Sequence, residues 1–264
     1  TPCHHHSSYG MGIGADNNFR DNVIEGNVIA NNPSTGIRLN AYINTTVRNN
    51  VLYNNDPQLS IEDRKGPSYN NVVTGNLFYS LSPDQLGVAL TNATNHGSFD
   101  SNYYCNPYSE VMIVRDNRRY SLARWQTVFP AYDKNSKQCG LHLQEYTLTT
   151  VGANLILNST FEKTVSNWIG SGAATISYDS SQTKLTGGSL KMVNSGAGIG
   201  NVISNMLKLT ANQTYRLKFS VVGKGLGNIQ LRVSDANPTA PRILAEQYFA
   251  YDTNRKNAEL IFQS

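Results

Sequence analysis

The sequence predicts an all-β protein in two parts, a β-solenoid followed by a β-sandwich, and three observations predict it. An asparagine-centred motif recurs about every 25 residues through the first half. The second half replaces it with strict alternation of apolar and polar residues. Charged residues make up only 15% of the 264, and Asn, Gly, Ser, Thr and Tyr take their place. That mix feeds many turns, because Asn and Gly tolerate the left-handed backbone positions that turns need.

The repeat is carried by four segments: Ile24-Glu25-Gly26-Asn27-Val28-Ile29, Val47-Arg48-Asn49-Asn50-Val51-Leu52, Val73-Thr74-Gly75-Asn76-Leu77-Phe78 and Phe99-Asp100-Ser101-Asn102-Tyr103-Tyr104. The steps between asparagines are 23, 26 and 26 residues. A second anchor, Gly12-Ile13, Gly36-Ile37, Ser60-Ile61, Gly87-Val88 and Met112-Ile113, steps by 24, 24, 27 and 25. Short apolar strands punctuated by Asn/Gly turns at this period predict one solenoid coil per repeat. Stacked apolar positions would fill the bore. Stacked Asn27, Asn50, Asn76 and Asn102 would pass amide hydrogen bonds along the axis, which buried amides require. After Ile113 the pattern fades into Tyr120-Ser121-Leu122-Ala123-Arg124-Trp125-Gln126, an amphipathic segment that would cap the open end with Leu122 and Trp125 turned inward.

The first half resembles the right-handed parallel β-helix proteins related to pectate lyases. The resemblance covers roughly residues 10–130 and implies polysaccharide lyase, hydrolase or epimerase chemistry. Its motif specifies the architecture more closely than the reaction, because one fold hosts many activities. Alternate strand residues face outward, so the second anchor predicts two outward columns. One holds Gly14, Arg38, Glu62, Ala89 and Val114; the other holds Asp16, Asn40, Arg64, Thr91 and Asp116. Arg38, Glu62, Asp63 and Arg64 are therefore the candidate catalytic group. A lyase pairs a basic residue with groups that offset a substrate carboxylate; a hydrolase wants two carboxylates over one groove. Outward charges on a solenoid also form plain salt-bridge ladders. His4, His5, His6 and His96 are possible metal ligands or acid–base groups.

From about residue 150 the strands alternate: Tyr215, Leu217, Phe219 and Val221 against Arg216, Lys218 and Ser220, then Ile229, Leu231 and Val233 against Gln230, Arg232 and Ser234. Such strands have one face in a core and one in water. The run Asn154-Leu155-Ile156-Leu157-Asn158-Ser159-Thr160-Phe161-Glu162, followed by Trp168, Gly188-Ser189-Leu190-Lys191-Met192 and Thr214-Tyr215-Arg216-Leu217, resembles family 4/9-type carbohydrate-binding modules. That resemblance implies a jelly-roll sandwich, a structural role for Trp168, and a structural Ca2+ with Glu162 among its ligands. It also implies a sugar-binding face: Arg216, Lys218, Gln230 and Arg232, with Tyr248 or Tyr251 stacking on a sugar ring. The expected domains are residues 1–148, the last coils and cap of a right-handed parallel β-helix, and residues 149–264, a jelly-roll β-sandwich that is incomplete at its C-terminus. Both ends look cut.

The net charge is +4, and no Lys/Arg-rich run points to nucleic acid. An acidic polysaccharide suits the same balance. No apolar stretch reaches membrane-spanning length. Cys3, Cys105 and Cys139 match no zinc spacing, and the latter two are candidates for a disulfide or for free thiols. The expected function is a secreted or cell-surface polysaccharide-processing protein, of lyase or glycoside hydrolase type, tethered by its binding module. The alternative is a non-catalytic adhesin or glycan-binding protein.

Overall fold

The computed structural model describes residues 10–264 except 92–94, 142–150, 186, 197, 226, 236 and 238–240, and the side chains of 15–17 are likewise outside it. The first half is a parallel β-helix of four coils. The coils are β1 (Ile13–Arg20), β2 (Val23–Glu25) and β3 (Val28–Ala30); β4 (Ile37–Ile43), β5 (Thr46–Arg48) and β6 (Val51–Tyr53); β7 (Leu59–Glu62), β8 (Asn71–Thr74) and β9 (Leu77–Tyr79); and β10 (Val88–Leu90), β11 (Gly97–Asp100) and β12 (Tyr103–Cys105). A cap follows, made of β13 (Val111–Arg115), β14 (Arg118–Ser121), α1 (Leu122–Val128) and β15 (Lys137–Gln138). Strands of successive coils stack into three sheets, ordered β1-β4-β7-β10-β13-β14, β2-β5-β8-β11 and β3-β6-β9-β12-β15. All pairings in them are parallel except β13 with β14.

Each corner between the second and third sheets is made by one left-handed residue. Gly26, Asn49, Gly75 and Ser101 take φ of 67°, 54°, 66° and 57°, and each directly precedes a ladder asparagine. A single such residue reverses the pleat and swings the asparagine side chain inward. There the amides line up as the sequence predicts. The backbone N–H and Nδ2 of Asn27 both donate to Asn50 Oδ1 at 3.0 Å. Asn50 does the same to Asn76 at 3.0 Å, and Asn76 to Asn102 at 3.0 and 3.1 Å. A second row, not foreseen from the sequence, links Asn32 to Asn55 at 2.8 Å, Asn55 to Gln58 Oε1 at 2.8 Å, and Gln58 to Ser80 Oγ at 3.2 Å.

The bore is filled by Ile37, Leu39, Leu59, Ile61, Val88, Leu90 and Ile113 from the first sheet, Val47, Val73 and Phe99 from the second, and Leu52, Phe78 and Tyr104 from the third, all buried. The register in the first sheet corrects the expected columns. Ile37 pairs with Leu59, Arg38 with Ser60 and Asn40 with Glu62; Ser60 then aligns with Ala89. The outward columns are therefore Gly14, Arg38, Ser60, Ala89, Val114 and, beside it, Asn40 with Glu62. The anchor Ser60-Ile61 had been set against Gly36-Ile37, two residues out. A slip of two preserves every inside–outside assignment, so alternation alone does not detect it.

The cap closes the bore with aromatic rings and one buried carboxylate. Ser121 caps α1, accepting from Arg124 N–H at 3.4 Å. Leu122 and Trp125 turn inward as expected. Trp125, Phe129 and Tyr132 pack ring on ring, with Trp125 and Phe129 centroids 4.5 Å apart. Asp133, 1% exposed, accepts from Trp125 Nε1 at 3.0 Å, the Tyr104 hydroxyl at 3.1 Å, Ser136 Oγ at 2.6 Å and Asn102 Nδ2 at 3.3 Å. The amide ladder thus ends on a carboxylate. Cys105 and Cys139 are joined in a disulfide.

The second half contains β16 (Trp168–Gly172), β17 (Ala174–Asp179), β18 (Ser189–Asn194), β19 (Gly200–Ser204), β20 (Thr214–Val221), β21 (Gly227–Ser234), β22 (Ile243–Tyr251) and β23 (Lys256–Gln263). They pair as β16–β19, β17–β18, β20–β23 and β21–β22, and the first three pairs are antiparallel. Ala258, Leu260 and Phe262 are buried on alternate positions of β23, and Phe262 stacks on Tyr215 at 5.7 Å. These form four two-stranded sheets among the described residues, so antiparallel β structure is present in the second half. Packing divides the chain into two units, Thr1–Leu143 with Leu226–Leu231 and Glu246–Ala250, and Gln144–Gly225 with Arg232–Ala245 and Tyr251–Ser264. No helix among the described residues is long and apolar enough to cross a membrane.

Candidate functional site on the first sheet

Of the predicted catalytic group, the structure brings Arg38 and Glu62 together and leaves Asp63 and Arg64 outside the strand. Arg38 Nε and Nη2 meet Glu62 Oε1 and Oε2 at 3.2 and 2.9 Å, and the two side chains are 18% and 17% exposed. Ser60 Oγ adds a hydrogen bond to Glu62 at 3.4 Å. A two-point, largely covered pair of this kind commits the guanidinium to the protein's own carboxylate. Asp63 Oδ1 accepts the Ser68 N–H at 2.8 Å and so closes the loop after β7; burial moves its carboxyl above the usual range. Arg64 is exposed beyond the strand end.

A second set of polar groups, which no repeat position signals, lies beside the same sheet. Asp56 and Asp84 occupy equivalent loops that lead into β7 and β10. Within the first unit, the Tyr248 hydroxyl donates to Asp84 Oδ1 at 3.0 Å and accepts from Gln230 Nε2 at 2.8 Å. The Arg119 guanidinium lies 5.3 Å from the Tyr248 ring centroid, a cation–π distance. Burial, together with the Asp84 hydrogen bond, pushes the Tyr248 hydroxyl up to about 12. Burial also raises the Asp56 carboxyl, with the Asp84 charge adding to the rise and Arg119 opposing it. Two carboxylates, a guanidinium and a phenol therefore share one electrostatic neighbourhood. Loop residues of this kind give no period to read, which is why the sequence concealed them.

The expected sugar-binding row is divided. Gln230 and Tyr248 fall in the first unit, and Arg216, Lys218, Arg232 and Tyr251 in the second. Arg216 and Lys218 stand exposed on β20, and Lys218 pairs with Glu259 at 3.2 Å. Gln230 and Arg232 stand on β21, in a different sheet. Tyr248 carries Arg119 against its ring, and the Tyr251 ring lies over Gly223, which has no Cβ to obstruct it. Trp168 packs on Phe161 at 5.2 Å and donates to the Asn158 carbonyl at 3.3 Å, as a structural residue would. Glu162 is exposed and accepts from Thr160 Oγ1 at 3.4 Å.

His96 is fully buried, and among the described residues neither ring nitrogen has a hydrogen-bond partner; the Thr91 hydroxyl is likewise unpartnered among them. Burial, then the nearby Arg115 charge, pushes the imidazole down to about 4, with Asp116 opposing. At neutral pH it is an uncharged core residue and not an accessible acid–base group. His4, His5 and His6 lie outside the described residues. The folded protein resists His96 protonation, so its contribution is fully present above about 6.5 and is lost as pH falls toward about 4. We expect about 3 kcal/mol of lost stability across that window. Urea midpoints of the native protein and His96→Gln at several pH values check this: the two curves should converge as the pH falls, and parallel curves would refute it.

Comparison with known proteins identifies one family. Residues 4–140 match the family model described as "Periplasmic copper-binding protein (NosD)". No curated protein and no solved structure matches the chain. Among the described residues, no three His, Cys, Asp or Glu side chains come together as metal ligands.

Proposed function

The chain belongs to the periplasmic copper-binding NosD family, and from that premise we propose that it is an exported polysaccharide-processing protein that engages an acidic glycan along its first sheet. One observation carries the reading: the cluster of Asp84, Tyr248 and Arg119, with Asp56 on the adjacent coil. Arg119 is suited to pair with a uronate carboxylate. Asp56, whose carboxyl is raised, serves as proton donor to the glycosidic oxygen, and Asp84 as the partnering base. This places the reactive groups beside, and not within, the Arg38, Glu62, Asp63 and Arg64 set. The disulfide agrees with an oxidising compartment outside the cytoplasm, whether periplasmic or extracellular.

Residues 149–264 serve in this reading as a jelly-roll carbohydrate-binding module that raises the local glycan concentration. Arg216, Lys218 and Arg232 would contact sugar hydroxyls or carboxylates, Tyr251 would stack, and Glu162 would contribute to a structural Ca2+ site. The second reading is a non-catalytic glycan-binding surface protein, and the closed Arg38–Glu62 pair favours it.

The test is product release by the native protein across a panel of polyuronates and neutral glycans, measured as reducing ends and unsaturated sugars. Asp56→Asn and Asp84→Asn should each lower the rate about 100-fold or more, and Glu62→Gln should leave it within about 2-fold. Retained binding with no product from any glycan would establish the binding protein; loss of both would end the carbohydrate reading.

A further inference from the structure

The outer face of the third sheet is apolar on every coil. Register places Val28, Val51, Leu77 and Tyr103 in one outward column and Ala30, Tyr53 and Tyr79 in the next. The other two sheets differ. The second turns out a column of Glu25, Arg48, Thr74 and Asp100, and the first turns out Arg38 and Glu62. Val28 is 75% exposed and Tyr103 46%, so the apolar face meets solvent at both of its ends. Between them the half-buried Tyr53 and Tyr79 rings stack with centroids 5.6 Å apart. A continuous exposed apolar face marks a binding surface. We propose that this face is a polysaccharide-binding site that receives the C–H faces of sugar rings, with Tyr53, Tyr79 and Tyr103 as its platforms.

Size selects the ligand. Four three-residue strands side by side cover about 10 Å by about 20 Å, or about 200 Å². A second copy of the chain would need about 800 Å² on each side for a stable dimer, so the strip is too narrow for a protein partner and suits a single glycan strand. Its rim supplies the polar half of sugar recognition. Asn54 Nδ2 donates to Asn31 Oδ1 at 2.9 Å, and Gln85 Nε2 to Asn54 Oδ1 at 2.8 Å, which sets an exposed amide row at the corner directly after Ala30 and Tyr53. Aromatic rings beside fixed amides match the apolar face and the hydroxyls of one sugar together. Asp56 follows Tyr53 by three residues and Asp84 follows Tyr79 by five, so a strand held here is led toward the loops that carry both carboxylates. The site rests on the function proposed above for the class of its ligand alone; it uses none of the reactive residues and needs no uronate.

The experiment is affinity electrophoresis of the full chain through gels that contain soluble xylan, mixed-linkage glucan or polygalacturonate. The native chain should be retarded by at least one of them. Tyr53→Ala and Tyr103→Ala should each weaken that retardation at least about 10-fold, and Tyr53→Phe, which keeps the ring, should bind as the native chain does. Val72→Ser, on the exposed face of the second sheet, should change nothing. Circular dichroism confirms that the variants are folded, and the exposed position of Tyr103 makes its replacement safe for the bore. No retardation of the native chain, native binding by Tyr103→Ala, or a dimer in sedimentation that Tyr103→Lys dissolves would each overturn the inference. Binding is read apart from product release. Retardation lost in Tyr103→Ala supports the site even where no glycan is cleaved, whereas cleavage with binding indifferent to Tyr53 and Tyr103 overturns it and spares the Asp56 and Asp84 reading.

Discussion

Replacing Asp133 with alanine is expected to destabilise the β-helix by about 3–5 kcal/mol, the largest effect of any single substitution considered. The carboxylate accepts from Trp125, Tyr104, Ser136 and Asn102, and all four donors are left facing a void when it is removed. A buried donor without its acceptor costs about 1–3 kcal/mol, and the loss also frees the segment that brings Ser136 beneath Asn102. Asp133→Asn, which keeps the shape and one acceptor oxygen, should recover part of the loss. Chemical denaturation followed by Trp125 fluorescence measures both. A midpoint change for Asp133→Ala worth under about 1 kcal/mol would mean that water replaces the carboxylate and that the cap does not depend on it.

The second large effect concerns the disulfide. Cys105 and Cys139 are 34 residues apart, and a closed loop of that length restricts the unfolded chain by about 4 kcal/mol in the chain-entropy view. Cys139→Ser, or reduction of the native protein, should lower stability by about that amount. Both perturbations act on the same closure, because β15 pairs with β12 between Asp133 and Cys139. Their effects should therefore fall short of additive in the double variant. Additive losses would show that the disulfide and the carboxylate fasten separate parts.

What the sequence made legible follows from what the fold repeats. The asparagine at each corner stands out because an amide must find an amide on the next coil, so Asn27, Asn50, Asn76 and Asn102 show themselves by recurrence. The parity of the strands is legible for the same reason. Their register is not: Ser60 and Glu62 both face outward, and only the stacking of Leu59 on Ile37 distinguishes the columns. Asp133 is invisible because a cap occurs once. Asp56, Asp84 and Arg119 are hidden in a different way, since they reach one neighbourhood from loops and a hairpin strand that share no period. In the second half, alternation predicts that Leu217 and Phe219 turn from water and Arg216 and Lys218 toward it. It does not tell which strand lies beside which, and β20 and β21 proved to belong to different sheets.

The ladder is also polarised. From rung to rung the amide donates toward the C-terminus and its oxygen accepts from the N-terminal side, while Nδ2 of Asn50, Asn76 and Asn102 also donates back to the Ile24, Val47 and Val73 carbonyls. Along the row the rung-to-rung bonds run head to tail, as peptide dipoles do along an α-helix. The positive end of that row rests on the Asp133 carboxylate. Each coil therefore contributes to the potential at a single buried anion, and a coil inserted with its amide reversed would set like poles against each other at both of its faces. The solenoid can change length only by whole coils of one orientation, and any lengthening would strengthen the field that holds its cap in place.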